Sequence, residues 1–183
     1  MHGGVPRVLP SMPDDLPALA LMLRETMRSA EIFVFSGGSS VGERDLVLDA
    51  MRESGEIIFH GIAVKPGKPT ALGRVNGRPV FGMPGNPTSC LSNAYLLLVP
   101  MLRRMARLPE HRPRTERLPL ARRIVSGAGR HQFYTVRIEG GSAVPAFKSS
   151  GDITSMSRAD GYIEIPADTD TVEEGQLVDV KHF

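Results

Sequence analysis

The chain has 183 residues, 41% of them hydrophobic and 23% charged, with a formal net charge of +2. That suffices for one sizeable core, or for a medium domain with a smaller one, and it excludes bulk disorder. With 5% aromatic residues, no tryptophan, and basic residues scattered apart from a stretch around Arg103, Arg104, Arg107, Arg112, Arg114 and Arg117, nucleic acid is not an expected partner.

In chain order, "DDLPALALMLRETMRS" reads as a helix: Asp14 and Asp15 suit its positive end, Pro17 fits the first turn, and Leu16, Leu19, Leu23 and Met27 keep helical spacing. "EIFVF" at 31–35 is a short apolar strand running into glycines. Asp45 then opens a second helix whose Leu46, Val47, Ala50 and Met51 form an apolar face, with Gly55 as its terminating glycine. "EIIFHGIAV" at 56–64 reads as one further strand, completing a βαβ unit. Asn76-Gly77 predicts a hairpin between "TALGRV" and "RPVFGM". From Pro87, capped by Asn86, a long helix is expected with Leu91, Ala94, Leu98, Met101, Leu102 and Met105 along one face, kinked or shortened at Pro100. The charged, proline-punctuated "PEHRPRTER" at 109–117 reads as a linker. Beyond it, "QFYTVRIEG", "SAVPAF", "GYIEIPA" and "GQLVDVKHF" resemble strands of a small all-β domain.

The one cysteine, Cys90, excludes an intrachain disulfide framework and suits a reducing compartment. The apolar run from Ala94 to Leu102 is too short and too interrupted for a membrane span, and "MHGGVPRVLP" lacks the apolar core of a signal peptide. The expectation is a cytoplasmic protein without membrane contact.

Three loops stand out. "SGGSSVGERD" at 36–45 follows a strand and precedes a helix, a place where free backbone N–H groups attract anions; it also offers hydroxyls on Ser36, Ser39 and Ser40 and carboxylates on Glu43 and Asp45. Gly37 and Gly42 have the spacing of a nucleotide-hydrolysing P-loop, but Glu43-Arg44 replaces its Lys and Ser/Thr, and no G-x-G-x-x-G opens a helix. A tight turn with Asp45 as a helix cap remains an equally good reading. Lys65 and Lys68 flank Pro66-Gly67, so their mutual repulsion favours an oxyanion between them, although taken alone two lysines on an exposed turn are commonplace. In "GMPGNPTSC", Asn86-Pro87 starts a helix whose N-terminus, with Thr88 and Ser89, is a third anion-attracting element. Loops that follow strands of one sheet gather along one edge.

Taken together and in this order, "SGGSSVGERD", "VKPGKPTALG" and "GMPGNPTSC" resemble the molybdopterin molybdenumtransferase family, bacterial MoeA and the gephyrin E domain, and "SSGDITSMSRADGYIEIP" resembles that family's C-terminal β domain. The resemblance implies an α/β fold: a partial three-layer, MoaB/Mog-like pterin-binding domain with a parallel-rich sheet over 5–108, a linker over 109–117, and a small barrel-like β domain over 118–183. It implies insertion of molybdate into adenylylated molybdopterin with release of AMP, assisted by Mg2+. Ser36, Gly37, Gly38, Ser40, Gly42, Glu43 and Asp45 would line the pterin phosphate and metal region, with Asp45 the essential carboxylate and metal ligand. Lys65 and Lys68 would hold the oxyanion, with Pro66 and Pro69 shaping their turn; Pro84, Asn86, Pro87 and Ser89 would complete the pocket, and Arg130 or Ser150 would reach molybdate from the tail. His60 and His131 show no partner pattern and read as structural or exposed histidines.

Family members are longer. The match here begins at the "PSMPDD" helix, so the expectation is a shortened chain lacking an opening strand, with an unpaired sheet edge and weak or no activity alone. A homodimer or a companion chain carrying the missing domains would then be its partner. The rival readings are a noncatalytic pterin-binding or scaffold module and, less well supported, a molybdopterin adenylyltransferase.

Overall fold

The computed structural model describes residues 2–37, 45–127, 129–146 and 154–183. Gly38, Ser40, Gly42, Glu43 and Ser150 lie outside the described residues.

Asp15 caps α1 (Leu16–Thr26) by accepting from the Ala18 N–H at 3.0 Å, and Pro17 occupies a first-turn position that needs no donor. Strand β1 (Phe33–Ser36) follows, then α2 (Leu46–Ser54), capped by Asp45. Leu19, Ala20, Leu23 and Met27 of the first helix and the turn after it pack with Val47, Leu48, Ala50 and Met51 of the second in one buried core. Gly55 ends α2, yet its φ of −176° is ordinary extended backbone, not the left-handed conformation expected of a terminating glycine. Space is the reason: a Cβ there would lie 2.0 Å from the Arg74 carbonyl oxygen.

The stretch read as one strand over 56–64 is two. β2 (Glu56–His60) ends at Gly61, whose φ of +82° turns the chain, and β3 (Val64–Lys65) joins a different sheet. β4 (Ala71–Val75) and β5 (Arg78–Met83) form the expected hairpin, with Asn76 at φ 51° and Gly77 at φ 77° giving the two left-handed residues of a type I′ turn. The first sheet has the order β1-β5-β4-β2 and is mixed: β1 is parallel to β5, and β4 is antiparallel to both neighbours. Consequently β1, β5 and β2 all run toward the same edge. Val80 and Gly82 face the helices, and alternation turns the buried Phe81 and Met83 to the other side.

The long helix from Pro87 is α3 (Pro87–Asn93), one wide π-type turn over 94–98, and α4 (Val99–Met105). Pro100 has no N–H and would press its ring on the carbonyl a turn earlier; the wide turn, in which the Val99 N–H reaches Ala94 O, accommodates it. The buried face also differs from expectation. Leu91 and Met105 are exposed, whereas Thr88, Ser89, Ser92 and Asn93 are buried, so the inner face of α3 is polar.

β6 (Thr115–Pro119) starts inside the stretch read as linker. β7 (Ile124–Val125), β8 (His131–Glu139), β9 (Ser142–Pro145), β10 (Gly161–Ile165), β11 (Thr171–Val172) and β12 (Leu177–His182) complete the chain. The second sheet runs β3-β8-β10-β12-β6, with β9 on the far half of β8. Leu120 bridges Ala143, and the Ala121 N–H donates to Ala143 O at 2.9 Å, so β6 returns to β9 and the sheet closes as a small barrel. Leu118, Leu120, Ile124, Val136, Ala143, Ile163, Ile165, Val172 and Val180 fill it.

Two links join barrel and first sheet. β3 pairs in parallel with β8, matching Lys65 to Gln132. Tyr95, on the wide turn, meets Phe133, Tyr162 and Phe183, among which Phe133 and Tyr162 stack with centroids 3.9 Å apart.

Candidate functional site

The last pair of the β1–β5 ladder matches Ser36 to Met83, so the two parallel strands end side by side. The Gly37 N–H points back to Met83 O at 3.4 Å, and a Cβ on Gly85 would lie 3.4 Å from the Gly37 Cα. Glycine on both sides lets the two loops run in near contact. Each loop feeds a helix start: Asp45 Oδ1 accepts from the Leu48 N–H at 3.1 Å, and Asn86 Oδ1 accepts from the Ser89 N–H at 3.0 Å and its hydroxyl at 3.2 Å. Ser36 Oγ lies 3.9 Å from Cys90 Sγ on the first turns of α3. The structure therefore brings together Ser36, Gly37, Pro84, Asn86, Pro87 and Ser89.

The third loop reaches the same edge. β4 enters the sheet with Ala71 opposite Gly82 of β5 and His60 of β2, so residues 61–70 sit beside the ends of those strands. The Ile62 N–H donates to Lys68 O and the Gly61 N–H to Thr70 O, each at 2.9 Å, which folds the segment back on itself. Pro66 and Gly67 are buried at its middle, with a cis Lys65–Pro66 peptide and Gly67 at φ +109°. Lys65 is half-buried on β3; Lys68 and Pro69 are exposed.

Arg130 comes from the barrel, where His131 donates its N–H to Ala63 O at 2.8 Å. Arg130 and Lys68 thereby line one open groove with His60, Gly61, Ile62 and Ala63. One guanidinium and one ammonium group on one groove attract an anion, and neither lysine of the turn has an ion-pair partner among the described residues.

His131 has a partner that spacing did not reveal. Its Nε2 lies 3.2 Å from Glu164 Oε2, and Lys181 Nζ lies 2.6 Å from Glu164 Oε1, a chain across β8, β10 and β12. Close by, burial first, then Glu164 and Tyr95, push the Tyr162 hydroxyl up to about 12.

For a metal, the described residues offer little. No group of three or more His, Cys, Asp and Glu among them could hold an ion. Asp45 is one carboxylate, with Oδ1 engaged by the helix cap. This fits a magnesium ion that takes its other ligands from water and substrate phosphates, and it does not fit an all-protein cage.

Sequence reading missed Asn93 and Thr70. Both are fully buried, and Asn93 Nδ2 donates to Gly67 O at 2.8 Å and to Thr70 Oγ1 at 2.5 Å. The available signal was the spacing of Thr88, Ser89, Ser92 and Asn93, a polar stripe on one helix face.

Comparison with known proteins finds relatives for both halves of the chain. A family described as a probable molybdopterin binding domain matches residues 1–104, and the MoeA C-terminal region (domain IV) matches residues 117–183. A molybdopterin biosynthesis protein of Methanocaldococcus jannaschii is 32% identical over 91% of this chain and 40% of its own length. A molybdopterin molybdenumtransferase of Staphylococcus aureus is 26% identical over 91% of this chain and 41% of its own. The crystal structure of the molybdopterin biosynthesis MoeA protein of Pyrococcus horikosii superposes with a TM-score of 0.78 at 40% identity, covering 92% of this chain and 41% of that one. The chain thus spans well under half the length of these relatives. Among the described residues, no helix is long and apolar enough to cross a membrane.

Proposed function

The chain belongs to the MoeA family of molybdenum cofactor biosynthesis proteins, and from that premise we propose that its sheet edge binds adenylylated molybdopterin and molybdate, inserting the metal with release of AMP. The observation that carries this reading is the meeting of three loops at one edge: those after β1 and β5 in near contact at Gly37 and Gly85, and the lysine turn beside them.

The chemistry asks mainly for charge neutralisation and positioning, since molybdate, the pterin phosphate and the departing AMP are all anions. Backbone N–H groups of the loop after β1, with the Ser36 hydroxyl, would hold the phosphate. Lys65, Lys68 and Arg130 would hold molybdate, and Ser89, fixed on Asn86, would complete the wall. Asp45 would hold Mg2+, which when bound offsets the charge of the phosphoanhydride. Glu43 would assist it. The two segments 5–108 and 118–183 would act together, because the lysine turn comes from the first and Arg130 from the second, beside the β3–β8 pairing. A homodimer or a companion chain would be its partner, and the setting would be the cytoplasm.

The test is AMP release from adenylylated molybdopterin by the purified chain, with and without molybdate and Mg2+. Release that depends on molybdate and falls with Lys68→Ala supports the proposal. Pterin binding without release supports the noncatalytic module instead, and no binding of either anion removes both.

A further inference from the structure

Asn93 ends α3 and has no exposed surface, in a place where an aliphatic residue of similar size would avoid burying an amide. Both acceptors of its Nδ2 belong to one short turn, the Gly67 carbonyl at 2.8 Å and Thr70 Oγ1 at 2.5 Å. Thr70, also fully buried, closes the triangle by donating from Oγ1 to Gly67 O at 2.9 Å. The fit leaves no slack, because a Cβ on Gly67 would lie 2.2 Å from that same Nδ2. Meanwhile Asn93 Oδ1 is buried with no hydrogen-bond partner among the described residues, so the amide is kept for its donors. The other end of α3 carries Asn86 and Ser89 beside the loop after β1. One helix therefore touches the lysine turn at its last residue and the phosphate-side loops at its first.

We infer that Asn93 is a positioning residue: its amide, with the Thr70 hydroxyl, holds the 65–70 turn at a fixed distance from the loops after β1 and β5, and so sets where Lys65 and Lys68 meet an oxyanion. The inference deepens the proposed function and rests on it for the identity of the ligand, but the holding of the turn stands on the geometry alone.

The experiment compares the wild-type chain with Asn93→Asp, which keeps the shape and sets an acceptor against two oxygens, and with Thr70→Val and Thr70→Ser, which remove and keep the hydroxyl. Amide hydrogen exchange is read at Ile62, whose N–H is bonded to Lys68 O, and molybdate affinity is read by calorimetry. Exchange at Ile62 should accelerate by about tenfold or more in Asn93→Asp and Thr70→Val but not in Thr70→Ser, with Val80 in the sheet still protected. Molybdate affinity should fall by about tenfold in the same two variants. Should Asn93→Asp fail to fold, the Thr70 pair decides. Unchanged exchange in Thr70→Val overturns the positioning role. Accelerated exchange with molybdate affinity unaffected, or with no molybdate bound even by the wild type, upholds the holding of the turn and overturns the oxyanion reading.

Discussion

Gly67 and Asn93 share one small volume: the glycine at φ +109° leaves the space that the asparagine amide fills, and a Cβ would come within 2.2 Å of it. Gly67→Ala meets two penalties, backbone strain and the loss of Asn93's bonds. It should destabilise the chain by about 2–4 kcal/mol in urea unfolding. Adding Asn93→Ala removes the clash but not the strain, so the double variant should be more stable than the sum of the singles implies. Strict additivity would show that the two residues do not compete for the space.

Asp45 serves as a helix cap by its Oδ1, and any chemical role is separable from that. Asn is as good a cap as Asp, so Asp45→Asn should leave stability within about 0.5 kcal/mol, whereas Asp45→Ala should lose about 1 kcal/mol. If Asp45 also holds magnesium, both variants should lose Mg2+-dependent AMP release to a similar extent. Full activity in Asp45→Asn would reduce the residue to its cap.

The elements legible in the sequence are those with a local chemical cause. Asp15 with Pro17, Asn76-Gly77 and Asn86-Pro87 each place an acceptor or a dihedral that one structure satisfies, and each appears where expected. The loops after β1 and β5 start from one edge because those strands are parallel neighbours, whereas the lysine turn reaches it by way of β3, in the other sheet. What was not legible depends on partners distant in sequence. Val64–Lys65 pairs with His131 and Gln132 on β8, and no two-residue segment announces a change of sheet. Gly55 does end α2, but its lack of a side chain answers to Arg74 on a neighbouring strand and not to a left-handed turn. Apolar spacing does not announce the polar inner face of α3; Asn93 is buried for the sake of the turn it holds. Residues 38–44 of the glycine loop, Glu43 among them, lie outside the described residues.

Lys68 and Arg130 line one groove from the two halves of the chain, and both are exposed. Replacing either by Ala should therefore change stability by less than about 0.5 kcal/mol. Molybdate affinity should weaken in each, and the salt dependence of binding should flatten, because exposed charges act through a screened field. A variant that keeps wild-type affinity across a salt series would take its residue out of the site.

Tyr162 supplies a test of how the barrel meets the wide turn after α3. It stacks on Phe133, lies 6.1 Å from the Tyr95 ring, and holds its proton to about 12 because burial, Glu164 and Tyr95 all oppose the phenolate. An unfolded tyrosine releases its proton near its ordinary value of about 10. The folded state thus binds more protons than the unfolded state between those two values, and stability falls as pH rises through that window. The contribution is fully present below about 10 and lost by about 12. Tyr162→Phe has no proton to lose and keeps the ring, so the difference in unfolding free energy between wild type and variant should be constant below pH ~10 and should shift in favour of the variant above it. Parallel curves across the alkaline range would mean that the hydroxyl is no harder to ionise in the folded barrel than in the open chain.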